Sequence, residues 1–318
     1  MADVKMIATR ESYGNTLKAL AAEGHDDLVV LDADLAAATK TGMFRKAHPD
    51  RHFDCGIAEA NMMGVAAGLS TMGYVPFVSS FAMFAAGRAF EQIRNSVAYP
   101  HLNVKIGATH GGISVGEDGA SHQCCEDFAL MRSLPGMTII CPADDVEARA
   151  AVRAAYEMQG PVYLRFGRLA VPVFHDEANY HFEIGKGVTL KEGKDVAIIA
   201  SGIMVDEALK AQEQLAAEGI SAKVIDMFTW KPLDEQLILD SAAECGAIVT
   251  AENHQVKVGL GSAVANVVIK NNPVPMEMVG VEDRFGQVGA ESFLREEYGL
   301  TAAHIVEAAK KAIDRKNG

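Results

Sequence analysis

The run Leu28-Val-Val-Leu, closed by Asp32, shows no polar alternation. A strand with one wet face alternates apolar and polar residues, whereas a strand apolar at every position is covered on both faces. That restricts the chain to folds in which helices lie on both sides of a parallel sheet. Similar runs return at Tyr74-Val-Pro-Phe-Val-Ser, Asn103–Ala108, Met137–Cys141 and Val162–Phe166. Between them the apolar spacing predicts helices over 11–23, over the small-residue stretch after Gly56, over 81–98, near 125–133 and over 143–158. His52-Phe-Asp-Cys adds a short extended segment. Strand and helix thus alternate to about residue 167, the pattern of a doubly wound sheet with right-handed crossovers.

Residues 168–185 break the rhythm with Pro172, His175, Asp176, Glu177 and Asn179, and read as a linker. A second series follows, with strands at Val196–Ala200, Lys223–Met227, Ala247–Ala251 and Met276–Gly280. Its helices are predicted near 204–218, 234–244, 259–271, 287–297 and 301–315. The expected fold class is α/β: two doubly wound domains, residues 1–170 and a smaller 191–318, joined by a linker at 171–190. A length of 318 residues suits two domains.

A net charge of −13 argues against nucleic acid and anionic membrane surfaces as partners, although one pocket can still be basic. No apolar run approaches a membrane span, and the N-terminus has no signal-peptide core. The five cysteines, Cys55, Cys124, Cys125, Cys141 and Cys245, are odd in number and form no Cys-x-x-Cys pair. They read as reduced thiols, so a cytoplasmic location is expected.

The chemistry concentrates in Thr109–Gln123, which holds two histidines, two carboxylates and four glycines in fifteen residues. So many glycines rule out a helix or strand. A polar loop leaving the end of a buried strand is where α/β folds place their sites; the plainer alternative is a solvated turn. His110, Asp118 and His122 have poor spacing for structural zinc, and no metal site is expected. Proton transfer and hydroxyl recognition suit them better. Glu59 reads either as a helix-start acid stabilised by the macrodipole or as a carboxyl held in an apolar pocket to bond a ring nitrogen. Phe81, Phe84 and Phe90 read as core residues, with stacking on a flat heterocycle as the sharper alternative. Arg10, Arg165 and Arg168 read either as surface charges or as forks for phosphate. No Gly-x-Gly-x-x-Gly follows a strand and no Gly-x-x-x-x-Gly-Lys-Ser/Thr occurs, so neither a dinucleotide nor a nucleoside triphosphate is indicated.

Gly116-Glu-Asp-Gly-Ala-Ser-His-Gln123, preceded by Thr109-His110, closely resembles the pyrimidine-domain loop of transketolase. Asp54-Cys-Gly-Ile-Ala-Glu-Ala-Asn61 resembles that family's cofactor-activating glutamate motif. Ser80-Phe-Ala-Met-Phe84 is similar to the segment that stacks on the thiamine aminopyrimidine. The resemblance covers essentially the whole chain. It lacks the family's other half, a domain with Gly-Asp-Gly and a downstream Asn that holds magnesium and diphosphate. The chain therefore resembles the C-terminal subunit of a split, two-gene transketolase.

The resemblance implies thiamine diphosphate as cofactor, with Mg²⁺ held mainly by the partner. That partner would be an N-terminal-half transketolase subunit, in a heterotetramer of two pairs. The implied reaction moves a two-carbon ketol unit from a ketose phosphate to an aldose phosphate, as in the pentose phosphate pathway. Glu59 would bond a pyrimidine ring nitrogen and set the cofactor's tautomer. Phe84 would stack on the pyrimidine, with Phe81 and Ile57 beside it. His110 and His122 would hold sugar hydroxyls and move protons, Asp118 would bind a hydroxyl that marks stereochemistry, and Arg10 and Arg168 would bind the sugar phosphate. Two positions depart from the pattern: Ala38 stands where the full-length family usually has a phosphate-binding serine, and Gly87 replaces the aromatic one turn beyond Phe84. A 1-deoxyxylulose-5-phosphate synthase would share the core of the loop but generally lacks His110. The β subunit of a 2-oxoacid dehydrogenase would share the Glu59 motif but not Gly116–Gln123. A non-catalytic regulatory subunit is disfavoured by the joint retention of Glu59, Phe84, Asp118, His110 and His122.

Overall fold

A computed structural model of the chain describes residues 5–318. The first half contains strands β1 (Met6–Ala8), β2 (Leu28–Asp32), β3 (His52–Asp54), β4 (Val75–Phe81), β5 (Lys105–Thr109), β6 (Thr138–Ile140), β7 (Val162–Phe166) and β8 (Ala170–Pro172). The second contains β9 (Val188–Lys191), β10 (Val196–Ala200), β11 (Ala222–Asp226), β12 (Thr229–Lys231), β13 (Ile248–Gln255) and β14 (Met276–Val281). One sheet has the order β12-β6-β7-β5-β4-β2-β3, the other β14-β13-β10-β11-β9. Within the first sheet, β3, β2, β4, β5, β7 and β6 pair in parallel. The α/β reading with two doubly wound sheets therefore holds.

Burial explains why β2 carries no alternation. Leu28 and Val30 belong to one hydrophobic cluster and Val29 and Leu31 to another. Alternate side chains of one strand thus enter cores on opposite faces, each covered by helices. Leu17 and Leu20 of the helix Thr9–Ala22 close one face, and Met62, Met63 and Ala66 of the helix Glu59–Thr71 close the other.

Four features depart from expectation. β1 and β8 form a separate antiparallel ribbon, pairing Met6 with Pro172 and Ala8 with Ala170. β9 adds an antiparallel edge to the second sheet through β11. β12 comes from beyond the predicted linker yet pairs antiparallel with β6 of the first sheet. All three are short pairings set by distant partners, so the local sequence carries no period for them. The predicted helix 81–98 consists of π-helical turns at Met83–Arg88 and Ile93–Ala98 around a short α-helical turn at Phe90–Gln92. Such widened turns concentrate at functional sites. Among the described residues, no helix is long and apolar enough to cross a membrane.

Candidate active site

Parallel pairing brings the C-terminal ends of β2, β4, β5 and β7 to one edge of the sheet. Asp32, Phe81, Thr109 and Phe166 close those strands. The loop after β5 begins at His110, whose φ of 60° lies in the left-handed region. A non-glycine residue is strained there and is held by its surroundings. Its Nδ1 pairs with Thr109 Oγ1 at 2.8 Å, its Nε2 lies 3.3 Å from Arg10 Nη1, and its ring stacks on Phe81 with centroids 3.8 Å apart.

Phe81 also stacks against Phe84 at 5.8 Å, and His122 stands edge-on to Phe84 at 5.3 Å. Burial, followed by the charges of Arg10, Arg168 and His122, pushes the His110 imidazole down to about 3. It is neutral at physiological pH and can accept or donate a hydrogen bond without carrying charge.

Glu59 opens the helix Glu59–Thr71 and is only 4% exposed. Its Oε1 lies 3.2 Å from Nη1 of Arg88, whose guanidinium sits over the Phe84 ring at 4.2 Å. Arg88 escaped the sequence reading, although its position four residues after Phe84 in a helical pattern puts the two on one face. Arg10 donates to the Ala38 carbonyl at 2.8 Å. Nearby, the Thr39 and Thr41 hydroxyls donate to buried Asp32, which also pairs with His52 at 2.8 Å. The departure at Ala38 thus sits in a closed network in which the Ala38 main chain meets Arg10.

Arg168 donates to the Val115 carbonyl and pairs with Glu117 at 3.1 Å. Glu59, Phe81, Phe84, His110, His122 and Arg10 are therefore linked by direct contacts, and Arg168 is bound to the same loop. Asp118 and Ile57 stand apart from that network. Asp118 is exposed at the loop tip, without a side-chain partner among the described residues. Ile57 is 75% exposed before the Glu59 helix.

Reading Arg165 as a surface charge or a phosphate fork is corrected. Arg165 is 6% exposed, pairs with buried Asp127 at 3.1 Å, and donates to the main-chain oxygens of Asn253 and Cys124, each at 2.9 Å. It therefore ties the first sheet to the second domain. Asn253, at the far end of β13, accepts from Ile113 N–H at 3.0 Å and donates to Ser114 Oγ at 3.0 Å. A Cβ on Gly111 would meet Arg165 Nε at 1.8 Å, and one on Gly112 would meet the Asn253 side chain at 2.2 Å. Those two glycines permit the close approach that fixes the loop. Gln123 completes the seam by donating to the Gln287 carbonyl at 2.9 Å.

Comparison with known proteins identifies the family. Residues 5–173 match the model of the transketolase pyrimidine binding domain, and residues 185–305 match that of the transketolase C-terminal domain. The chain belongs to the transketolase family, whose members depend on thiamine diphosphate. It is 47% identical over 309 residues to the 6-deoxy-6-sulfo-D-fructose transketolase subunit of Clostridium sp. (strain MSTE9), covering 97% of this chain and 95% of that one. It is 36% identical over 310 residues to one subunit of the apulose-4-phosphate transketolase of Phocaeicola vulgatus, covering 98% and 99%. A solved split-gene transketolase, an inactive β4 tetramer, superposes with a TM-score of 0.91 at 54% identity, covering 98% and 99%. These resemblances define a transketolase subunit of the split type.

Proposed function

We propose that this chain is the C-terminal half of a heteromeric transketolase that moves a two-carbon ketol unit from a ketose phosphate to an aldose phosphate. The observation that carries the reading is the placement of Glu59. A buried carboxylate opens beside the face of Phe84, and His110 and His122 border the same rings. The half-exposed Arg88 guanidinium lies over the Phe84 ring, a flat cation that a flat heterocycle can replace. This donor set fits the pyrimidine end of thiamine diphosphate. Phe84 would take the ring, with Phe81 behind it and Ile57 at the rim. Glu59 would hold a proton at a ring nitrogen.

When bound, the cofactor supplies the stabilisation of a carbanion at the transferred carbons. The chain's own residues orient and exchange protons around it. His110, which is neutral, and His122 bond sugar hydroxyls, and Arg10 and Arg168 receive the anionic end of the sugar. Asp118, at the exposed loop tip, would reach a hydroxyl of a sugar entering from that side. The relatives named for a sulfosugar and for a sugar phosphate are consistent with anionic sugars as substrates.

Mg²⁺ and the diphosphate fall to an N-terminal-half partner carrying Gly-Asp-Gly and a downstream Asn, in a heterotetramer of two pairs. Exposed Ile57, Tyr99, Phe285 and Val288 support a covering polypeptide. The inactive β4 tetramer of a split-gene relative supports the need for one. The reduced thiols support a cytoplasmic setting. The test is reconstitution with that partner and assay of ketol transfer between sugar phosphates. Transfer only in the mixture is the expected result; a cofactor-loaded complex that transfers no ketol unit from any ketose phosphate overturns the proposal.

A further inference from the structure

The joint between the domains holds a second polar cluster, built from residues outside the loop. Asp144 precedes the helix Asp145–Glu157; its Oδ1 accepts Glu147 N–H at 3.0 Å, and its Oδ2 accepts the N–H groups of Phe174 and His175 at 3.0 and 2.9 Å. Glu147 accepts Ala143 N–H at 2.6 Å and the Tyr180 hydroxyl. Asp226 ends β11 of the second domain. His175 comes from the connecting segment, with Nδ1 at 3.2 Å from Asp144 Oδ1 and Nε2 at 3.9 Å from Asp226 Oδ2.

The hydrogen-bond balance of this cluster is incomplete. The His175 side chain is 4% exposed and the Asp226 side chain is fully buried. Nδ1 of His175 faces Asp144 Oδ1, but Nε2 of His175 and both carboxylate oxygens of Asp226 have no hydrogen-bond partner. Three such atoms in one place are exceptional, because buried polar atoms are nearly always bonded. One ligand atom each from Glu147, His175 and Asp226 lies within 4.8 Å of the other two. Two carboxylates brought this close in a dry interior repel when both are ionised. A cation resolves the repulsion and partners the orphaned atoms together.

The donor chemistry selects the kind of cation. One imidazole and two carboxylates suit a first-row transition ion, whereas Mg²⁺ and Ca²⁺ favour all-oxygen sets. A carboxylate beside one nitrogen of a ligating histidine orients the ring and leaves the other nitrogen for the metal. Asp144 stands in that position at Nδ1, so Nε2 is the free ligand atom. We infer that Glu147, His175 and Asp226 form a structural site for a divalent transition metal, with Zn²⁺ as the probe. The ion fastens the second domain to the first through the connecting segment, and the inference is independent of the reaction proposed above.

The experiment uses the full chain, stripped with chelator, reloaded with Zn²⁺ and desalted. The expected result is one zinc per chain by atomic emission and a Tm at least about 3 °C above the stripped protein. His175→Gln and Asp226→Asn each lose the bound equivalent and the Tm increment. Should a variant fail to fold, wild-type stoichiometry and its metal-dependent Tm decide alone. Zinc well below one equivalent in the wild type, or zinc and increment retained in both variants, overturns the site. A metal-independent wild-type Tm with a more stable Asp226→Asn also overturns it, and identifies a carboxyl pair sharing a proton instead.

Discussion

Arg88 Nη1 lies 3.2 Å from Glu59 Oε1, so the half-exposed arginine caps the buried carboxylate at the mouth of the proposed cofactor site. An amide at Glu59 keeps the shape and one hydrogen bond but cannot exchange a proton. In the reconstituted complex, Glu59→Gln is expected to lower turnover by about 10²–10⁴-fold or more. The circular dichroism spectrum and Tm should stay near wild type. Near-normal turnover, or undiminished exchange of the cofactor's C2 proton, would reduce Glu59 to a helix-start acid.

The chain by itself is expected to bind thiamine diphosphate and Mg²⁺ weakly and to turn over no substrate. Its sequence lacks the Gly-Asp-Gly and Asn motif for the diphosphate. Calorimetry on the purified chain measures this directly. Tight binding without a second polypeptide contradicts the split-subunit reading.

Arg168 is anchored to the Val115 carbonyl and to Glu117, and must trade the carboxylate for a substrate anion. A charge-assisted bond to a guanidinium contributes about 1.5–3 kcal/mol, or one to two decades in binding. Arg168→Ala should therefore raise KM for phosphorylated sugars about 10–100-fold while sparing hydroxypyruvate. Lysine should rescue in part, because a point charge lacks the fork. Equal loss with both donors would mean that Arg168 supports the loop through Val115 rather than reading phosphate.

The Arg165–Asp127 pair tests the seam between the domains. Removing one partner of a buried ion pair leaves a lone charge and costs about 3–5 kcal/mol. Arg165→Met should lower stability by about that amount in equilibrium denaturation. A loss under about 1 kcal/mol, as expected for an exposed pair, would contradict the buried placement.

Two buried histidines predict an acid-side loss of stability. Burial pushes His110 to about 3 and His254 to about 4, both below the ordinary 6.5. The unfolded chain then binds protons that the folded one refuses. Their contribution is intact above pH 6.5 and falls as pH drops below it, by up to about 1.4 kcal/mol per unit for each ring. Glu252, raised to about 8 by burial, works in the opposite direction: its contribution is present below its unfolded value and lost as pH rises through about 8. Comparing wild type with His110→Gln from pH 5 to 8 isolates one histidine. The variant should show a shallower acid slope, and the NMR signal of the His110 ring should stay neutral at pH 5. A ring that titrates near 6.5 contradicts this environment.

Most of the sheet, and the candidate site, could be read from the sequence because their causes are local. Leu28–Leu31 had to be covered on both faces, whatever their partners, since an unbroken apolar strand has no wet side. Thr109-His110, Gly116–Gln123, Asp54–Asn61 and Ser80–Phe84 are contiguous, so the resemblance pointed to His110, His122, Glu59, Phe81 and Phe84 without a structure. Tertiary structure decided what depends on residues far apart in the chain. Arg165 reads as a surface arginine until Asp127, Cys124 and Asn253 close around it. β12 carries no signal of its membership in the first sheet, because its partner β6 is about ninety residues earlier. Arg88 became part of the site only once Glu59 approached from another helix. Apolar period and local motif are written along the chain, but the burial of a charge and the pairing of a three-residue strand depend on what folds against them.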